Sequence, residues 1–140
     1  MIFGVIDRVE DTLVYANAGH FPWPLLHDGT TTIELEQPGV PVGLVPRTRY
    51  SEHRVALPPN FVLAVFSDGL LEILPQPALA QKQEFLRVLF GRHDVTVEQV
   101  HRDLQLDERL PLPDDVAVLL IKRGDNHGRA QHGTSVLRAR

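Results

Sequence analysis

The sequence has no cysteine, so it can form neither a disulfide framework nor a thiolate metal site. Lys and Arg number 14 against 18 Asp and Glu, and no basic stripe with interleaved aromatic residues is present, which argues against nucleic-acid binding. No apolar run reaches the ~20 residues needed to cross a bilayer. The N-terminus also lacks the basic region and apolar stretch of a signal peptide. We therefore expect a cytoplasmic protein without membrane or nucleic-acid partners.

What the chain does contain suits one globular domain. Its 140 residues, 43% of them hydrophobic, are enough to bury a substantial core. The pattern predicts strands, then two helices, then a final strand, which is the order of a mostly antiparallel α+β domain. The predicted strands are Ile2–Asp7, 12–16, 24–27, 30–35, 54–57, Phe61–Phe66 and 116–121, and the predicted helices begin after residue 77 and at Thr96. The polar residues 124–140 have no periodicity and are predicted to be a disordered tail after a domain at 1–123.

Two acidic residues lie at ends of the most apolar predicted strands. Asp68 follows Phe61–Phe66, and Asp114 precedes 116–121. If the two strand ends meet at one edge of a sheet, the carboxylates can share a divalent metal ion, because hard cations prefer oxygen ligands. The alternative is that both are turn residues, since Asp68 precedes Gly69 and Asp114 follows Pro113.

Other site chemistries find no support in the sequence. Ser67 has no Gly-x-Ser-x-Gly elbow around it and no evident partner base. The seven histidines are scattered without ligand spacing, and a Gly-x-x-x-x-Gly-Lys phosphate loop is absent. A metal site needs no nucleophilic side chain, because the metal can activate a water molecule.

Four motifs then occur in a recognisable order. They are Tyr-Ala-Asn-Ala-Gly-His-Phe-Pro at 15–22, Gly-Val-Pro-Val-Gly-Leu at 39–44, Leu-Ala-Val-Phe-Ser-Asp-Gly-Leu-Leu-Glu at 63–72 and Asp-Asp-Val-Ala-Val-Leu at 114–119. Together they resemble the C-terminal portion of the metal-dependent protein phosphatases, in the bacterial SpoIIE-like branch related to protein phosphatase 2C.

The resemblance implies a fold, a chemistry and site residues. The fold is a four-layer αββα type, an antiparallel β-sandwich flanked by helices, here incomplete at the N-terminus. Two Mn²⁺ or Mg²⁺ ions would activate a water that attacks a phosphoserine or phosphothreonine. Asp68 and Asp114 match metal ligands of the family, whereas Asn17 to His20 and Gly43 match motifs that shape loops near the site.

The resemblance also implies that something is missing. The family carries further ligands in an earlier half, in a Gly-Asp motif followed by a Gly-His-Gly-like stretch, and this sequence has neither. We therefore expect at most one weak metal site, and weak or no activity for this chain alone. Uncovered sheet surface is expected to favour self-association.

The implied partners are a phosphorylated protein of the anti-sigma-factor antagonist type and an upstream sensor or receiver domain. Two further hypotheses remain open. One is a non-catalytic regulatory interaction module on the same scaffold. The other is a metal-free ligand-binding β domain, in which Asp68 and Asp114 are incidental turn residues.

Overall fold

A computed structural model describes residues 1–92, 94–109, 111–126 and 129–139. The strands are β1 Ile2–Asp7, β2 Thr12–Asn17, β3 Leu25–His27, β4 Thr32–Glu34, β5 His53–Ala56, β6 Phe61–Phe66, β7 Val116–Asn126 and β8 Arg129–Ala139. The helices are α1 Gly69–Ile73, α2 Leu79–Phe90 and α3 Val97–Asp103, followed by a 3₁₀ turn at Leu106–Arg109.

The strands form two antiparallel sheets. One has three strands in the order β1-β2-β5, and the other has five in the order β4-β3-β6-β7-β8. Two antiparallel sheets with a few helices confirm the predicted α+β class. The first two strands pair as a hairpin, and β5, at the predicted strand 54–57, lies at the edge of the three-stranded sheet.

Strand β6 holds the layers together because alternate side chains point to opposite faces of a strand. Phe61 and Leu63 pack between the two sheets, whereas Val62, Ala64 and Phe66 pack against the helices. The predicted apolar strand Phe61–Phe66 is thus present at the centre of the five-stranded sheet, with side chains packed on both of its faces. The core between the sheets consists of Leu13, Tyr15, Leu26, Leu35, Leu57, Phe61 and Leu63.

The two helices predicted to begin after residue 77 and at Thr96 are present. Helix α2 ends at Gly91, whose backbone N–H donates to Arg87 O. Helix α3 begins after Thr96, whose Oγ1 accepts from Gln99 N while Gln99 Oε1 accepts from Thr96 N. This reciprocal pair is a capping box, which the spacing of Thr96 and Gln99 in the sequence favours.

The helices cover only the five-stranded sheet. In the described residues no helix packs on the outer face of the three-stranded sheet, so the arrangement has three layers (ββα) of the four that the resemblance implies. Phe3 and Val5 of β1 are 67% and 54% exposed. An apolar face of this kind is what the sequence led us to expect of an incomplete sandwich.

Two segments differ from the sequence prediction. Helix α1 follows Asp68 at once, since Leu70 and Ile73 are buried against the helix-side core. The predicted disordered tail instead contains β8, which pairs with β7 and buries Leu137 in the same core. Tertiary pairing with β7 therefore overrides the polar composition here. Residues 127, 128 and 140 of that tail lie outside the described residues.

No helix in the described part of the chain is both long enough and apolar enough to cross a membrane.

The turn between β3 and β4 gives a pH-dependent prediction. Asp28 Oδ1 accepts from Thr30 N, Thr30 Oγ1 and Thr31 N, and these bonds lower the pKa of Asp28 from 3.8 to about 2. Because the folded-state pKa is depressed, the contribution to stability is present above pH 3.8 and is lost as the pH falls towards 2. We expect Asp28→Ala to lower the melting temperature at pH 7 and the difference from wild type to shrink between pH 4 and 2.

Thermal unfolding followed by circular dichroism measures this difference. Asp28→Asn is the matched control, since its amide oxygen can still accept from the turn but cannot ionise. An Asp28→Ala deficit that stays constant down to pH 2 would show that the carboxylate charge contributes nothing.

Candidate functional site

The site is built where β6 ends and β7 begins. Ser67 N donates to Ala117 O at 2.9 Å, which extends the pairing of the two strands by one residue. The Ser67 hydroxyl donates to Asp115 O at 3.0 Å and accepts from Ala117 N at 2.9 Å. Its one proton is therefore engaged by the backbone. Ser67 ties the Asp68 turn to the Asp114 turn, in agreement with the sequence argument against a nucleophilic serine.

Gly69 sets how closely these turns approach. A Cβ built on Gly69 would lie 2.4 Å from Asp115 O, a backbone atom that real Cβ atoms never approach so closely, and 3.3 Å from Asp114 Cβ, which is a tight contact. Only glycine fits this contact. The structure thus brings Asp68, which directly precedes Gly69, and Asp114 to the same edge of the five-stranded sheet.

Both carboxylates are exposed at that edge. Asp114 Oδ1 accepts from Asp115 N at 2.7 Å, which orients the Asp114 side chain. Asp68 occupies the N-cap position of α1, but its side chain makes no capping hydrogen bond there. Water therefore solvates both groups, and burial does not force either of them to find a partner.

The two carboxylates are of the ligand type that a hard divalent cation prefers, but they are too few to form a complete site. Oxygen ligands are what Mg²⁺ and Mn²⁺ prefer, and such ions keep several waters. Within the described ranges, however, no group of three or more His, Asp or Glu side chains is placed to hold a metal ion. Asp68 and Asp114 alone would supply only part of a ligand set.

A cavity of about 490 Å³ opens beside Asp68. Residues that line it include His20, Phe21, Ser67, Asp68, Val136 and Arg138. Such a volume suits a small ligand or one side chain of a protein substrate. Sequence reasoning missed Arg138 altogether, because it lies in the predicted tail where no periodic pattern indicates a strand.

The loop that carries His20 is rigidly held. The buried Asn17 side chain donates from Nδ2 to His20 O at 3.0 Å and accepts from His20 N at 2.6 Å. Gly19 has φ +74° and packs against Pro41, where a Cβ would meet the ring at 2.6 Å. Gly43 also has a positive φ, +83°. The resemblance implied that these residues shape loops near the site. The contacts described here are the physical basis of that role.

His20 itself is unusual in this cavity. Its Nε2 is buried and has no hydrogen-bond partner within the described structure. Burial lowers the pKa of His20, the N-terminal amine lowers it further, and the charge of Asp68 opposes both. The imidazole is thus favoured in its neutral form.

The sequence also matches known proteins. A sequence model of the family described as "Stage II sporulation protein E (SpoIIE)" matches residues 1–124. The chain belongs to the SpoIIE family. The resemblance read from the four motifs is therefore confirmed. Membership of the SpoIIE family indicates a phosphatase-related domain. Residues 125–139, which include the whole of β8, lie beyond the matched part.

One curated relative is Protein IcfG from Synechocystis sp., which is 31% identical over 72 residues. The aligned stretch covers 51% of this chain and 11% of Protein IcfG. The chain thus spans about a tenth of the length of the curated relative that it matches.

Proposed function

We propose that this chain is the C-terminal portion of a serine/threonine phosphoprotein phosphatase domain in which Asp68 and Asp114 hold one divalent cation. One observation carries the proposal. Gly69 packs on the backbone of Asp115 so closely that the two exposed carboxylates share one sheet edge, beside a cavity of about 490 Å³.

Each part of this edge has a task in the proposed chemistry. Ser67 fixes the backbone on either side of the site through its two hydroxyl hydrogen bonds. Asp114 is oriented by Asp115 N, and Asp68 faces the cavity in which a phosphorylated side chain would lie. A bound Mn²⁺ or Mg²⁺ would supply charge neutralisation at the phosphoryl group and an activated water.

Two carboxylates alone bind such an ion weakly, in the millimolar range typical of sites with little ligand charge. The proposal therefore requires further oxygen ligands from outside the described residues for full activity. We propose an anti-sigma-factor antagonist as substrate and a sensor or receiver domain upstream in the parent protein, in cytoplasmic partner-switching signalling. The exposed Phe3 and Val5 support self-association or docking of another part of a longer protein on the outer sheet face.

The second candidate function is a non-catalytic interaction module. The observation that favours it is the lack, within the described residues, of any three side chains placed to hold a metal ion. In such a module the same scaffold would bind a phosphorylated partner without hydrolysing it. The two functions differ in whether Mn²⁺ confers any turnover.

Hydrolysis of p-nitrophenyl phosphate separates them. We expect slow hydrolysis that depends on Mn²⁺ and falls to background in both Asp68→Asn and Asp114→Asn, because each substitution removes one of the two charged oxygen ligands. Asp94→Asn is the matched control, since Asp94 is an exposed turn residue that does not line the cavity. Its rate should equal that of wild type.

Two results would count against the phosphatase function of this chain. Hydrolysis that persists in either single variant would place the chemistry elsewhere. A folded wild-type chain with no Mn²⁺-dependent rate would favour the interaction module.

A further inference from the structure

Arg138 lies in β8, outside the residues that the SpoIIE family match covers. In the register of β7 and β8 it is opposite Ala117, and its neighbour Leu137 is opposite Val118. Leu137 and Val118 are both buried in the helix-side core. Since successive side chains of a strand alternate, Arg138 faces the opposite side of the sheet, where it lines the cavity beside Asp68.

The strand order places the backbone of Arg138 two strands away from the end of β6, beside which the proposed site lies. Its partner Ala117 donates from N to Ser67 Oγ and accepts at O from Ser67 N, both at 2.9 Å. Ser67 directly precedes Asp68. Because the N–H and C=O of Ala117 both point to Ser67, Ala117 and Arg138 are a non-hydrogen-bonded pair of the β7–β8 ladder. The arginine and the carboxylate are thus positioned at one cavity by the pairing of β6, β7 and β8.

The guanidinium of Arg138 is available to a ligand. Its side chain is exposed, and within the described ranges it forms no salt bridge. By contrast, Arg123 on β7 is engaged by Asp11 and by the carbonyls of Leu57, Pro58 and Pro59. A free guanidinium presents a planar fork of donors that matches two oxygens of a phosphate group.

We propose that Arg138 binds the phosphoryl oxygens of a phosphomonoester in this cavity and so positions the substrate. The inference rests on the proposed phosphatase function and adds a substrate-binding residue to it. Asp68 alone would repel a phosphate dianion, whereas the cation of Arg138, two strands away in the same sheet, offsets that repulsion. The alternative is that Arg138 is a charged residue that protects the edge strand β8 from aggregation.

Binding of O-phospho-L-serine to the metal-free 140-residue chain tests the proposal independently of turnover. Inorganic phosphate and L-serine serve as further probes, and NMR chemical-shift titration gives each dissociation constant. We expect Arg138→Gln to weaken phosphoserine binding about tenfold, because a charge-assisted pair of hydrogen bonds is lost. The phosphoserine affinity of Arg138→Lys should lie between those of wild type and Arg138→Gln, since lysine keeps the positive charge but lacks the planar fork of donors.

Arg102→Gln is the matched control, because Arg102 is exposed on α3 and does not line the cavity. It should bind phosphoserine as wild type does. Asp68→Asn should bind phosphoserine more tightly than wild type in the absence of metal, because a like charge is removed. Inorganic phosphate should show the same ranking of variants, and L-serine should not bind saturably.

Three results would overturn the proposal. They are wild-type affinity for phosphoserine in Arg138→Gln, no saturable phosphoserine binding by wild type, and equal binding of L-serine and phosphoserine. Failure of the Arg138 binding role is distinguishable from failure of the proposed phosphatase function. If phosphoserine binding depends on Arg138 but no Mn²⁺-dependent hydrolysis occurs, the binding role stands and the phosphatase activity fails. If hydrolysis depends on Asp68 while Arg138→Gln binds phosphoserine with wild-type affinity, the phosphatase activity stands and the binding role of Arg138 fails.

Discussion

Replacing Gly69 with alanine should lower the free energy of unfolding by about 3 kcal/mol. Helix propensity alone predicts that Gly69→Ala would raise the free energy of unfolding. Gly69 is the first residue of α1, and alanine is favoured over glycine in a helix by about 1 kcal/mol. The packing term decides the outcome, since the new Cβ would lie 2.4 Å from Asp115 O and a backbone atom cannot rotate away. The strand end, the α1 start or both must move.

Urea unfolding measures this loss, and Gly133→Ala is its matched control. A Cβ on Gly133 would meet nothing within 4 Å, so that variant should unfold with nearly the wild-type midpoint. The movement forced in Gly69→Ala should also separate Asp68 from Asp114, so Mn²⁺ affinity should fall even where the chain remains folded. A Gly69→Ala chain as stable as wild type would show that the two turns are not in close contact.

The sequence could predict those parts of the fold whose signals are local. Every residue of Phe61–Phe66 is apolar, which identifies a strand buried on both faces without knowledge of its neighbours. Thr96 and Gln99 are three residues apart, so the start of α3 is encoded in a single helical turn.

Other elements depend on contacts between distant residues, which no local pattern reveals. Helix α1 has only 5 residues, too few to be stable by propensity, and forms because Leu70 and Ile73 enter a core built from other elements. Strand β8 likewise depends on its pairing with β7. Arg138 consequently reaches the cavity from a segment whose composition indicates disorder.

The candidate site was likewise predictable where its signals are local in the sequence, and not where it depends on contacts between distant residues. The positions of Asp68 and Asp114 at strand ends follow from the apolar runs beside them. Their place at one sheet edge required only that β6 and β7 be antiparallel neighbours. The reason that Asp68 is followed by glycine was not readable, because the contact is with Asp115 on another strand. That Asp68 and Asp114 hold a metal ion stays a prediction.

Titration of the chain with Mn²⁺, followed by paramagnetic broadening of its backbone amide NMR signals, tests most directly whether Asp68 and Asp114 share one ion. We predict one site per chain with a millimolar dissociation constant, and broadening centred on the amides of Gly69 and Asp115. Asp68→Asn and Asp114→Asn should each weaken that single site about tenfold or more, whereas Asp94→Asn should leave it unchanged. Wild-type Mn²⁺ affinity in either single ligand variant, or broadening centred elsewhere, would contradict the shared site.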